Sequence, residues 1–167
     1  GAYLSCIGPA VASVRRKCSV ERFDIIDTDS QHGNSTRAVF IDGPNVLHVC
    51  FCDFDVVEGD GTKIDVDVGW RTNDEAYLDK VRKEFIARAR AFRPFMIFHN
   101  FGLDTCQGDY GDRGLSRSFF LELAREVKAC AEEVCEGRYE VITHGGFRID
   151  TTEYVFPRVI EILAQSG

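Results

Sequence analysis

Apolar residues along this chain follow two rhythms, short β-branched runs and longer stretches that repeat every three to four positions, and the two alternate. Runs at 22–28, 46–52, 95–98 and 139–143 predict strands, and Val46–Cys52 is nearly apolar on both faces, as a central parallel strand is. Leu78, Val81, Phe85, Ala89 and Phe92 recur at helical spacing after a Thr72 or Asn73 cap, with Asp74 and Glu75 in the first turn and Pro94 as the stop. A second helix carries Phe120, Leu123, Val127 and Val134 from Ser116 to Gly137, and a last one carries Val155, Val159, Ile160 and Leu163. Residues 8–17 suit a short helix whose basic end complements the helix dipole, and residues 35–40 suit one helical turn that packs Val39 and Phe40. Within the acidic loop 53–69, Ile64–Val68 alternates strictly, which predicts a half-exposed strand with Asp65 and Asp67 facing water. Strands alternating with helices imply an α/β fold of three layers, a mostly parallel sheet with helices on both faces. A single domain over residues 1–167 is expected.

Composition narrows the partners. Hydrophobic residues make up 44% and charged residues 28%, and no stretch is long and apolar enough to predict a membrane span. A formal charge of -7 speaks against nucleic acid, whose binding is driven by Lys and Arg neutralising phosphates, and favours a small or cationic ligand. Seven cysteines without a repeated Cys-x-x-Cys spacing fit neither a disulfide framework nor a zinc knuckle, and read as small buried hydrophobes in a reducing cytoplasm. The only methionine is Met96, so the chain reads as processed or cut from something longer, and Arg15–Lys17 follow the first apolar stretch instead of preceding it as in a secretory signal.

The candidate chemistry gathers where strands end. The run Phe23–Ile26 breaks into Asp27, Thr28, Asp29, Ser30, Gln31 and His32, and in open parallel sheets ligands collect just beyond the carboxyl ends of strands. Asp27, Asp29 and Gln31 share one side of an extended backbone, and three oxygen donors on one side point to a cation. The same residues also suit a plain turn. Asp104 and His144–Phe147 follow later strands and should converge on the same edge. Tyr110 belongs to a loop near that pocket, and His48 and His99 read as packing residues with one satisfied nitrogen each.

These segments carry a resemblance. Asp27 to Thr36 is similar to the Asp-x-Asp-x-His-His-Gly-Asn/Asp-Gly-Thr segment of the zinc-dependent deacetylase superfamily, which includes histone deacetylases, acetylpolyamine amidohydrolases and acetoin-utilisation deacetylases. Asp104 to Asp109 resembles its Asp-x-x-x-Gly-Asp stretch and Gly145-Gly146-Phe147 its closing Gly-Gly-Tyr, so the likeness covers nearly the whole chain. The resemblance implies an arginase/deacetylase-like fold that lacks its N-terminal part. It implies a zinc site in which Asp29 and Asp104 are ligands and Gln31 replaces the ligand histidine. His32 and Asn34 match the rest of the catalytic segment, and Phe147 takes the place of the tyrosine that polarises the acetyl carbonyl. A monovalent cation, potassium, is implied beside Asp27 and Asp29. Gly1-Ala2-Tyr3 corresponds to the stretch after the family's catalytic His-His pair, which would place that pair outside the chain.

The expected function is therefore that of a deacetylase-superfamily domain with impaired hydrolysis of acetylated lysine or polyamine amides. The other readings are a non-catalytic module for a ligand or partner, a homo-oligomer, or one part of a split deacetylase whose remainder supplies the missing residues. Ile25 to Asp29 also fits the strand-borne Asp-x-Asp of haloacid-dehalogenase phosphatases, but that family's later Lys and acidic pair have no clear counterpart.

Overall fold

The strand β1 (Phe23–Asp27) is buried along its whole length and lies between two parallel neighbours, β2 (Val46–Cys52) and β5 (Met96–Phe101), in a computed structural model that describes residues 5–165. Beyond β2 come β4 (Lys63–Asp67), parallel, and the short antiparallel edge β3 (Val56–Glu58). Beyond β5 comes β6 (Tyr139–Thr143), also parallel, so the order is β3-β4-β2-β1-β5-β6. The chain leaves β1 toward one edge and later leaves β5 toward the other. Their carboxyl ends therefore splay their loops apart, which opens a crevice at that point of the sheet.

Alternation along the strands feeds two cores. Ile26, Leu47, Val49, Phe51, Ile97 and Phe101 face α3 (Asp74–Lys80), α4 (Ala87–Phe92), α5 (Phe119–Cys135) and α6 (Ile149–Ala164). Phe23, Ile25, Val46 and Phe98 face the opposite way, onto Ile7 and Val11 of α1 (Ile7–Cys18) and Phe40 of α2 (Asn34–Phe40). The three expected layers are present. Asn73 caps α3 by accepting the Ala76 N–H at 2.9 Å. The rod expected over 73–92 continues through a π-helical segment, Val81–Ile86, that joins α3 to α4.

Several expectations need correcting. Ile64–Val68 was expected to be half exposed, but β4 is flanked by β2 and β3, and Asp65 is buried beneath Arg37. The edge strand β3 carries no apolar alternation and was not anticipated. Val39 and Ile160 point to solvent, while Phe40 and Ile162 take the core positions. Cys6 and Cys18 are exposed on or beside α1, so only the other five cysteines are small core residues. Gly1-Ala2-Tyr3, expected to follow the His-His pair, lies outside the described residues.

Candidate metal and ligand site

The loop after β1 lines a cleft of about 540 Å³ with Asp27, Asp29, Gln31, His32 and Asn34, and Asn100, Tyr110 and His144 close it from the β5 and β6 sides. The register explains the convergence. Asp27 is paired with Asn100 across β1 and β5, and Asn100 Nδ2 donates to Asp27 Oδ2 at 3.0 Å. Asp27 Oδ1 in turn accepts the Asp29 N–H at 3.3 Å, which bends the chain so that Asp29 enters the cleft. Gly33 is required here by proximity, since a methyl group on it would lie 2.6 Å from Asp27 Oδ2.

Asp29 is nearly buried and fully engaged. Its Oδ1 accepts the Gln31 N–H at 2.9 Å, and its Oδ2 accepts the Gly145 N–H at 3.0 Å and lies 3.1 Å from His144 Nδ1. Burial opposes its charge, but these hydrogen bonds outweigh burial and hold the carboxyl below its ordinary range, while the same contact raises His144. Asp104 is fully buried behind the loop and accepts the Ser30 N–H and hydroxyl. Burial, and then the charge of Asp29, push its carboxyl up to about 6. The Tyr110 hydroxyl completes the group. A methyl on Gly145 would lie 2.5 Å from Asp29 Oδ2, 2.6 Å from Tyr110 Oη and 2.8 Å from Asp104 Cγ, so all three converge on that glycine. Burial and the nearby Asp104 charge raise the Tyr110 phenol to about 12, which keeps it a hydrogen-bond donor.

Other expected residues sit differently. Phe147 is 66% exposed and stacks on Tyr110, outside the lining of the cleft. His32 belongs to the lining, but its Nε2 is 3.0 Å from Asp65 Oδ2, a partner from β4 that is buried instead of facing water. His144, expected at this sheet edge, contacts Asp29 directly. His99 has both nitrogens engaged, with Thr28 Oγ1 at 2.9 Å and Tyr139 Oη at 2.7 Å. His48 has neither engaged and rests 3.9 Å from Asp27 Oδ2. The expectation of one satisfied nitrogen fails for both.

The donors at the expected metal position are Asp29, Asp104 and the amide of Gln31, all oxygen. That set suits a hard, oxygen-preferring cation. These three residues do not make the family's zinc set, because an amide, exposed at the rim, replaces the imidazole at position 31 and the imidazole beside Asp29 is that of His144, engaged with its carboxylate.

The architecture and the segment order agree with a known family. Residues 3–163 match the family model described as histone deacetylase domain. The chain belongs to that family. It is 26% identical over 166 residues to type-2 histone deacetylase 2 of Dictyostelium discoideum, covering 87% of this chain and 10% of that protein. It is 25% identical over 176 residues to a histone deacetylase-like amidohydrolase of Pseudomonas aeruginosa, covering 97% of this chain and 46% of that protein. The solved structure of the histone deacetylase Clr3 superposes with a TM-score of 0.81 at 21% identity, over 97% of this chain and 30% of that one, and shares its fold. The chain thus spans less than half the length of these relatives. Among the described residues, no helix is long and apolar enough to cross a membrane.

Proposed function

We propose that this histone deacetylase domain binds an acetylated amine in the Asp29–Tyr110 cleft and hydrolyses it poorly. The observation that carries the reading is the donor set. An amide stands at the third ligand position, and the aromatic residue at the place of the catalytic tyrosine has no hydroxyl and lies outside the cleft. Loss of an oxyanion donor commonly costs on the order of a hundredfold or more in rate. The carboxylates of Asp29 and Asp104, with Tyr110 and His144 beside them, suit the amide of an acetylated lysine or polyamine, or a hard cation held between them.

The test is metal content of the purified chain by elemental analysis after dialysis, beside a Gln31→His variant, with hydrolysis of an acetyl-lysine peptide and an acetylpolyamine followed on both. The reading expects little hydrolysis by the unaltered chain and zinc bound to these residues only in Gln31→His. Zinc that depends on Asp29 and Asp104 in the unaltered chain, together with rapid hydrolysis, would overturn it.

A further inference from the structure

A second group of donors lies one strand over from Asp29. His32 comes from the loop after β1, Cys52 is the last residue of β2, and Asp65 is on β4, and one donor atom of each lies within 4.8 Å of the other two. Cys52 and Asp65 are buried and the His32 side chain is 20% exposed, so of the three His32 is the one that meets solvent. We infer that His32, Cys52 and Asp65 form a metal site of their own that takes one divalent ion of the zinc type and leaves a coordination position open toward His32.

The geometry is close to what such an ion needs. Donors around a tetrahedral ion with bonds of about 2.0–2.3 Å stand about 3.3–3.8 Å apart. His32 Nε2 and Asp65 Oδ2 already stand 3.0 Å apart, so small outward shifts of those two and an inward shift of the thiol complete the set. The ion takes the place of the His32 Nε2 proton, which moves to Nδ1, and the Cys52 thiol proton leaves to solvent.

Charge also closes. The Cys52 thiolate and the Asp65 carboxylate balance a divalent ion. Arg37, which holds the other oxygen of Asp65, has its own counter-charge in Glu58 Oε2 at 2.9 Å. The Cys50 thiol and the backbone N–H groups of Phe54 and Asp53 hydrogen-bond to Cys52 and lower its pKa against burial and the nearby Asp65 charge. Phe54 packs edge-on against His32 with centroids 5.4 Å apart and orients the ring. Sulfur, nitrogen and oxygen together make a borderline-soft set, unlike the all-oxygen set at Asp29, so the two sites should sort ions by chemistry.

Cobalt(II) titration of the full chain after chelator treatment tests this by absorption, because only a thiolate ligand gives an intense sulfur-to-cobalt charge-transfer band. The expected result is a band that saturates at one equivalent. Cys52→Ser should abolish it and weaken cobalt binding on the order of a hundredfold, more than the loss of an outer partner does. Asp29→Asn with Asp104→Asn should leave it in place, as should Cys50→Ser. Circular dichroism of each variant guards against loss of fold. Cobalt bound without the band, a band that survives Cys52→Ser, or a folded chain that binds no cobalt would overturn the site and leave a hydrogen-bonded network only. Cobalt that is lost with Asp29 and Asp104 and gives no thiolate band is a separate outcome, which counts against this site while reporting on the cleft.

Discussion

Tyr110 and Phe147 stack face to face, with ring centroids 5.8 Å apart and planes 9° from parallel. Tyr110 lines the cleft and brings its hydroxyl near Asp29 and Asp104, while Phe147 backs its ring from outside the lining. Each ring therefore depends on the other for its position. Replacing either by Ala should weaken binding of N-acetyl-lysine amide by roughly tenfold, the worth of an aromatic contact. Phe147→Tyr should change it by no more than about twofold, since the added hydroxyl meets solvent. Isothermal titration of the three variants checks this.

Gly145 is where the cleft is tightest. Gly145→Ala should push apart Asp29, Asp104 and Tyr110, at about 1–3 kcal/mol of stability, the usual cost of overpacking. Cation and ligand binding should fall far more than stability does. Urea unfolding beside titration of the same variant separates the two effects.

Asp24 lies in β1 with both carboxyl oxygens buried and unpartnered. Burial keeps its carboxyl protonated well above the ordinary carboxylate range, with Arg22 only partly opposing this. The folded chain therefore holds a proton that the unfolded chain releases above about pH 4, so this residue costs stability as pH rises. Asp24→Leu should stabilise the domain by about 1–3 kcal/mol at neutral pH and by less at pH 4. Denaturant unfolding at the two pH values reads the difference.

His99 acts in the opposite sense. Burial lowers it from 6.5 to about 3. Between those values the unfolded chain binds a proton that the folded chain refuses, so stability rises with pH across that window and is lost on acidification, by up to about 1.4 kcal/mol per pH unit. His99→Gln should flatten that slope in unfolding curves between pH 6.5 and 4, after a fixed loss from the broken link to Thr28 or Tyr139.

The sheet and its helices could be read from apolar spacing because most strands and helices here satisfy one dominant requirement, burial of a continuous face. The segments that deceived were those with a second requirement. Asp65 looks solvent-facing in an alternating run, yet Arg37 and His32 hold it inside, and nothing local in the sequence pairs residues 28 and 33 positions apart. His144 was expected at the same sheet edge, but its pairing with Asp29, 115 positions away, depends on the parallel register of β1, β5 and β6 and has no local sign in the sequence. Asp27, Asp29 and Gln31 were legible because one strand end carries all of them.

The π segment Val81–Ile86 bears on how this helical rod accommodates a change in length. A π turn amounts to an α-helix holding one residue more than its hydrogen-bond ladder needs, with the faces on either side kept in phase. Tyr77, Leu78, Ile86 and Ala89 all stay buried across it. Losing one residue there would restore an ordinary α-helix and leave both halves seated on the sheet. The same loss within α5 would rotate half of its apolar face by about 100° into water. A one-residue deletion within Val81–Ile86 should therefore disturb the domain less than one within α5.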